Sequence, residues 1–190
     1  MKKIFYLFAG VNGAGKSTLY NLAMINQNIK NTIRINTDEI VREIGDWKNN
    51  SDQLKAAKMA INLRNECFLY GKSFNEETTL TGKTILKTID KAKELGYELQ
   101  LFYVGLNSPE IAKERIKNRV EKGGHYIEND VVEKRYYESL KNLKEIILKF
   151  DKIQLYDNSN KYIEFFSFED NLKIIRYFLR LKMLVGLKKP

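Results

Sequence analysis

Three glycines within six residues, Gly10, Gly13 and Gly15, stand between an apolar run and a helical pattern. That order constrains the fold more than any other feature of the chain. The preceding run, Lys3-Ile4-Phe5-Tyr6-Leu7-Phe8-Ala9, has too few polar positions for a strand with one wet face, so it reads as a buried parallel strand. After the glycines, Leu19, Leu22, Ala23 and Ile25 recur at helical spacing. Strand, glycine loop and helix in that order make a phosphate-cradling unit, and Phe8-Ala9-Gly10-Val11-Asn12-Gly13-Ala14-Gly15-Lys16-Ser17-Thr18 fills every position of G-x-x-x-x-G-K-[ST].

The residue types follow from the chemistry of holding a phosphate. Glycines let the backbone take positive φ and approach an anion with no Cβ in the way. The N–H groups from Asn12, Gly13, Ala14, Gly15, Lys16, Ser17 and Thr18, with the helix N-terminus, form a preformed anion site. In this motif the lysine, Lys16, reaches the β- and γ-phosphates, and the hydroxyl of Ser17 ligates Mg²⁺. A dinucleotide-binding loop is the nearest rival, but it requires no Lys-Ser after its last glycine.

The 190 residues suit one domain with a sizeable core, and no run approaches a membrane span. The apolar run near the N-terminus ends in the glycine loop, so it is expected to be a core strand and not a targeting segment. Cys67, the only cysteine, falls in a helical pattern; a buried thiol in a reducing cytoplasm is expected, with no internal disulfide. The net charge of +9 invites a nucleic-acid reading. However, residues 171–190 hold Lys173, Arg176, Arg180, Lys182, Lys188 and Lys189 without an acid, which leaves only +3 for the rest. A basic helix over about 169–185, with Leu172, Ile175, Leu179 and Met183 on one side, accounts for most of the excess. It is either docked with its basic face in solvent or meets a partner or anionic surface.

Further strands are expected at 32–36, 73–79, 97–106 and 152–157, alternating with helices. A helix over 52–70 carries Leu54, Ala57, Ile61 and Phe68 at helical spacing. Another ends at Gly96, and Ser108-Pro109 starts a third. Asp130-x-x-Glu133 has the spacing of a capping box for a helix reaching Lys149. The alternation predicts a single-domain α/β/α sandwich around a mostly parallel sheet of five or six strands.

In such a sheet, chemistry gathers beyond the carboxyl ends of the strands. Asp38 lies just past the second strand, where a base for an acceptor hydroxyl belongs; equally, it or Glu39 serves a helix dipole there. Glu77 ends the third strand beside Thr78 and Thr79, either as an acid near metal or substrate, with Thr78 a further substrate contact, or as an exposed charge. Arg115 and Arg119 share a helix face before Gly123-Gly124, and Arg135 follows it. Residues 115–135 thus suit a glycine-hinged arginine lid, or a basic solvated hairpin. His125, the only histidine, is read as a lid or substrate contact.

Together these segments resemble the zeta-toxin family of P-loop kinases. The resemblance rests on Ala9–Thr18, on Ile35-Asn36-Thr37-Asp38-Glu39-Ile40 and on Glu77-Thr78-Thr79-Leu80-Thr81-Gly82. It extends to Arg119-Val120-Glu121-Lys122-Gly123-Gly124-His125, to Arg135–Leu143 and to Leu155-Tyr156-Asp157-Asn158-Ser159. It covers about residues 3–160, and is nearest to the small stand-alone branch labelled "predicted ABC-type ATPase". The resemblance implies a phosphotransferase using ATP or GTP with Mg²⁺, a small-molecule hydroxyl acceptor such as UDP-N-acetylglucosamine, and an antitoxin partner. It implies Lys16 as the P-loop lysine, Asp38 as catalytic base, Glu77 near substrate and metal, and Arg119 and Arg135 as lid arginines. Two alternatives stand beside it: a kinase for another alcohol, such as an antibiotic or nucleic-acid 5′-hydroxyl, and a nucleotide-gated interaction module. The weak basicity of the first 170 residues argues against nucleic acid.

Overall fold

The computed structural model describes residues 2–25 and 27–168. The elements run β1 (Ile4–Ala9), α1 (Lys16–Ala23), α2 (Gln27–Lys30), β2 (Ile33–Ile35), α3 (Thr37–Ile44), α4 (Asn50–Tyr70), β3 (Phe74–Thr78), α5 (Lys83–Glu94), β4 (Glu98–Gly105), α6 (Pro109–Glu121), α7 (Asn129–Ile146), β5 (Lys152–Asp157) and β6 (Ile163–Phe168). The six strands lie in the order β2-β3-β1-β4-β5-β6; β2 to β5 and β1 are parallel, and β6 turns back antiparallel to β5. The α/β sandwich expected from the alternation is therefore present, with the sixth strand as a hairpin edge. The basic helix expected at 169–185 lies outside the described residues.

Strand β1 explains why the first apolar run is unbroken. Phe5, Leu7 and Ala9 face one core with Phe74, Leu99, Leu101 and Tyr103; Tyr6 and Phe8 face the other with Phe102 and Val104. Both faces are covered by helices, so both sets of side chains are buried. Phe5 stacks on Phe74 at 4.4 Å between ring centroids, and Phe68 and Tyr97 meet Phe74 edge-on.

The neighbouring strand β3 is polar, Phe-Asn-Glu-Glu-Thr, and yet buried at its first three residues. Burying such groups is tolerable only when each finds a partner. Asn75 Nδ2 donates to Thr32 Oγ1 at 2.8 Å, and Arg64 of α4 forks onto Glu76 at 2.6 and 2.9 Å. Among the described residues no buried side-chain nitrogen or oxygen lacks a hydrogen-bond partner.

Two helices differ from expectation. Helix α4 buries Ala56, Ala60 and Cys67, while Leu54 and Ile61 are exposed. Small residues let this helix sit close to its neighbours, and of the expected stripe Phe68 packs on the core and Ala57 is half-buried. Helix α7 has Glu128 at its N-cap with no side-chain cap bond, so Asp130 lies in the first turn and no capping box forms. Glu133 is instead paired with Lys113, which joins α7 to α6. Ser108 does occupy the N-cap of α6, although its side chain makes no cap bond, and Gly96 takes positive φ after α5.

Burial pushes the Cys67 thiol up to about 11, so it is a protonated core side chain at neutral pH. Among the described residues no helix is long and apolar enough to cross a membrane. Phe74→Ala is expected to cost about 3–5 kcal/mol of stability. Leu148→Ala, at an exposed side chain, should stay within about 0.5 kcal/mol. Urea denaturation followed by circular dichroism checks both, and equal losses would contradict the packing described.

Candidate active site

The glycine loop is shaped by what it approaches. Gly10 has φ 145, and a Cβ there would lie 2.4 Å from the Val104 carbonyl oxygen of β4. Gly15 has φ 100, and its Cβ would meet Asn158 Nδ2 and Tyr162 Oη at 2.7 Å. The loop is clasped from outside: Asn158 Nδ2 donates to Ala14 O at 2.8 Å, the Tyr162 hydroxyl donates to Gly15 O, and Arg115 donates to Gly13 O and Asn158 O. These contacts turn loop carbonyls toward the β5–β6 connection and leave the N–H groups for an anion.

Lys16 is buried, and its Nζ donates to Val11 O at 3.2 Å. Burial holds the Lys16 pKa below its ordinary value, while nearby Glu77 and Asp38 pull it upward. An anion in the loop would relieve this desolvation. Ser17 Oγ donates to both carboxylate oxygens of Glu77, at 3.0 and 3.1 Å. Among the described residues no cluster of three or more His, Cys, Asp or Glu could hold a metal ion. Mg²⁺ beside a P-loop does not need one, because a hydroxyl and one carboxylate are completed by phosphate oxygens and water. Ser17 and Glu77 fit that donor set.

Asp38 lies in the first turn of α3, where Asn36 caps the helix by accepting the N–H groups of Asp38 and Glu39. The cap fixes where the Asp38 backbone points, and among the described residues no hydrogen bond occupies its carboxylate. Asp38 lines a cavity of about 780 Å³ together with Ser17, Trp47, Gln53, Arg119 and His125. This space runs from the loop serine past the candidate base to the lid.

The lid residues expected from 115–135 come to the site from two helices. Gly123 has φ 82, and Gly123 and Gly124 donate their N–H groups to the carbonyls of Val120 and Arg119. Arg119 Nη2 donates to His125 O at 2.8 Å, so the arginine braces the hinge as well as lining the cavity. Arg135 Nη1 donates to Asn12 Oδ1 at 3.0 Å, which places it over the P-loop. The His125 ring stacks on Trp47 at 4.5 Å and 23°, closing the cavity between the lid and the α3–α4 connection.

Thr78 is placed differently. Its Oγ1 accepts the N–H of Leu80, a buried residue held at φ 58, and Asn142 Nδ2 donates to Leu80 O. Thr78 thus shapes a strained turn and does not line the main cavity. Sequence reasoning missed Asn158 and Tyr162 as loop clasps and Trp47 as a cavity wall. Only the short Leu155–Ser159 segment hinted at the first; Trp47 sits in a polar stretch with no periodic signal.

The sequence model of the family described as Zeta toxin matches residues 1–167. The chain belongs to the zeta toxin family. A curated Haemophilus influenzae protein, described only as an uncharacterized protein, is 38% identical over 135 residues, spanning 71% of this chain and 92% of that one. Among solved structures, a chain from work on the PezAT chromosomal toxin–antitoxin system of Streptococcus pneumoniae is similar with TM-score 0.65 at 21% identity, covering 100% of this chain and 80% of that one. A chain of the AvrRxo1-ORF1:-ORF2 crystal structure with ATP gives TM-score 0.71 at 14% identity, covering 99% of this chain and 65% of that one. At such identities these structures show a shared fold. Within this zeta toxin fold the expected lid and P-loop face each other across one cavity.

The Trp47–His125 stack carries a pH dependence. Burial lowers the His125 pKa below the usual histidine value; Asp38 opposes this, while Arg119 and Arg135 add to it. A group whose pKa folding depresses adds stability above its unfolded pKa, and that contribution is lost as pH falls. Trp47 is the only tryptophan, so its fluorescence should change over a titration from about pH 7 to about pH 4, with a midpoint below the ordinary histidine value of about 6.5. The transition should vanish in His125→Gln. A wild-type signal flat across that range would contradict a stacked, titrating His125.

Proposed function

We propose that this zeta toxin family member is a P-loop kinase that transfers the γ-phosphoryl group of ATP, or GTP, to a hydroxyl of a small molecule. The observation that carries this is one cavity holding both Ser17 at the donor end and Asp38 facing the acceptor space. Lys16 and the N–H groups of residues 12–18 bind the polyphosphate. Asp38 orients the acceptor hydroxyl and accepts its proton as the new oxygen–phosphorus bond forms. Arg119 and Arg135 offset the charge on the transferring group from the lid side. Ser17 and Glu77 would hold Mg²⁺, which would supply positive charge against the charge that develops on the phosphoryl group.

The size of the cavity suits a small acceptor beneath a closed lid better than a polymer. UDP-N-acetylglucosamine is the first acceptor to test, on the strength of the family membership. An antitoxin partner is the corresponding reading of the likeness to a chain from a toxin–antitoxin system. A reducing, cytoplasmic setting accords with the single buried thiol.

Incubation with γ-labelled ATP and a panel of hydroxyl compounds, followed by mass spectrometry, should show one acceptor gaining a phosphate. Asp38→Asn should lower kcat by about 10²–10⁴-fold with ATP affinity little changed. Lys16→Ala should weaken ATP binding itself. Undiminished transfer by the Asp38 variant would remove Asp38 as the base.

A further inference from the structure

Arg34, on the short strand β2, makes four hydrogen bonds at the site, as many as Glu77, and has no role assigned above. Its Nε and Nη2 fork onto Glu39 at 3.1 and 2.8 Å, Nη2 also donates to Glu77 Oε2 at 2.8 Å, and Nη1 donates to Asn75 Oδ1 at 3.1 Å. The guanidinium lies 3.5 Å from the centre of the Tyr20 ring of α1. The Arg34 and Glu77 side chains are only 15% and 11% exposed, so water screens their pairing little.

Glu77 therefore has its two oxygens between Ser17 Oγ on one side and Arg34 and Asn36 Nδ2 on the other. Glu39, the second carboxylate on Arg34, is the residue after Asp38 in the first turn of α3. One side chain thus ties the P-loop helix through Tyr20, the metal-side acid through Glu77 and the base-bearing helix through Glu39. It also leaves the Arg34–Glu39–Glu77 group with a single net negative charge beside Ser17, where two bare carboxylates would repel each other.

We propose that Arg34 is a positioning residue for phosphoryl transfer, holding Glu77 against Ser17 and the first turn of α3 against the P-loop. Resting on the kinase reading, the assignment makes Arg34 act through Glu77 and without touching a reacting atom. A planar fork is required, because an ammonium cannot reach Glu39 and Glu77 together in fixed geometry.

The test uses Arg34→Lys, Arg34→Met, Glu77→Gln and the Arg34→Met/Glu77→Gln double variant, each checked for a cooperative melt. The primary readout is the affinity for a fluorescent, non-hydrolysable ATP analogue as Mg²⁺ is titrated, with kcat as a second. Loss of a group that orients a metal ligand typically weakens metal affinity about 10–100-fold. Arg34→Met is expected to raise the Mg²⁺ half-saturation by at least about tenfold on that basis. Analogue binding without Mg²⁺ should hardly change. Arg34→Lys, which keeps the charge, should recover only part of the loss.

In the Glu77→Gln background Arg34→Met should add little, because the residue through which it acts is gone. Full additivity, or a wild-type Mg²⁺ dependence in Arg34→Lys, would overturn the proposal. So would a defect that follows the folded fraction alone and disappears on cooling. The binding readout keeps the two readings apart. If the wild type phosphorylates no acceptor, the kinase reading fails while the Mg²⁺ titration still decides Arg34. If transfer occurs and the titration is unmoved, only the Arg34 proposal fails.

Discussion

Parallel pairing of β1 between β3 and β4 is the constraint on which the rest of the structure depends. Parallel register brings the ends of β1, β3 and β4 to one edge, so Ala9 lies beside Thr78 and Tyr103. The chain leaving β1 must then turn over β4 at close range, and Gly10 does so with no room for a Cβ against Val104 O. A side chain at that position would push the loop off the sheet and the candidate donor site with it. The same edge brings in three further candidate residues: Asp38 after β2, Glu77 at the end of β3, and Asn158 after β5.

A cost follows from putting polar groups there. The end of the sheet buries or half-buries Lys16, Arg34, Asn36, Asn75, Glu76 and Glu77, each of which would be strongly unfavourable alone. They are tolerated because each is partnered: Glu77 serves Ser17, Arg34 and Asn36 at once, Asn75 accepts from Arg34, Glu76 holds Arg64 as a separate pair, and Lys16 donates to Val11 O. Such a set has few alternative arrangements. The sheet side of the site is thus heavily cross-linked, whereas the α6–α7 hairpin opposite turns at Gly123 and Gly124.

Much of this was legible in the residues because it is local. The P-loop is a contiguous pattern whose glycines, lysine and serine each answer a nearby backbone demand. The five parallel strands were read to within a residue or two, since runs such as Tyr97–Leu106 need no distant information. Asp38 and Glu77 were singled out as candidates by the rule that chemistry lies past strand ends. The misreadings were of contacts between distant elements. Leu54 and Ile61 looked like the inner face of α4, but neighbouring α3 and the sheet select Ala56, Ala60 and Cys67. Asp130 and Glu133 had cap spacing, but Lys113 of α6 draws Glu133 away.

By itself, then, the sequence determined a phosphate-cradling loop on a parallel α/β sheet, with an acid after β2, an acid after β3 and a glycine-hinged basic hairpin. These are properties of segments a few residues long, governed by φ/ψ freedom, periodicity and the hydrogen-bonding needs of one turn. Only the tertiary structure decided that Tyr162 and Asn158 clasp the loop carbonyls and that Trp47 meets His125 across the cavity. It also decided that Arg34 joins Glu39 to Glu77. Those pairs are separated by between 5 and 147 positions, and they meet because the order of the strands in the sheet, or for Trp47 and His125 the packing of helices, closes the distance between them.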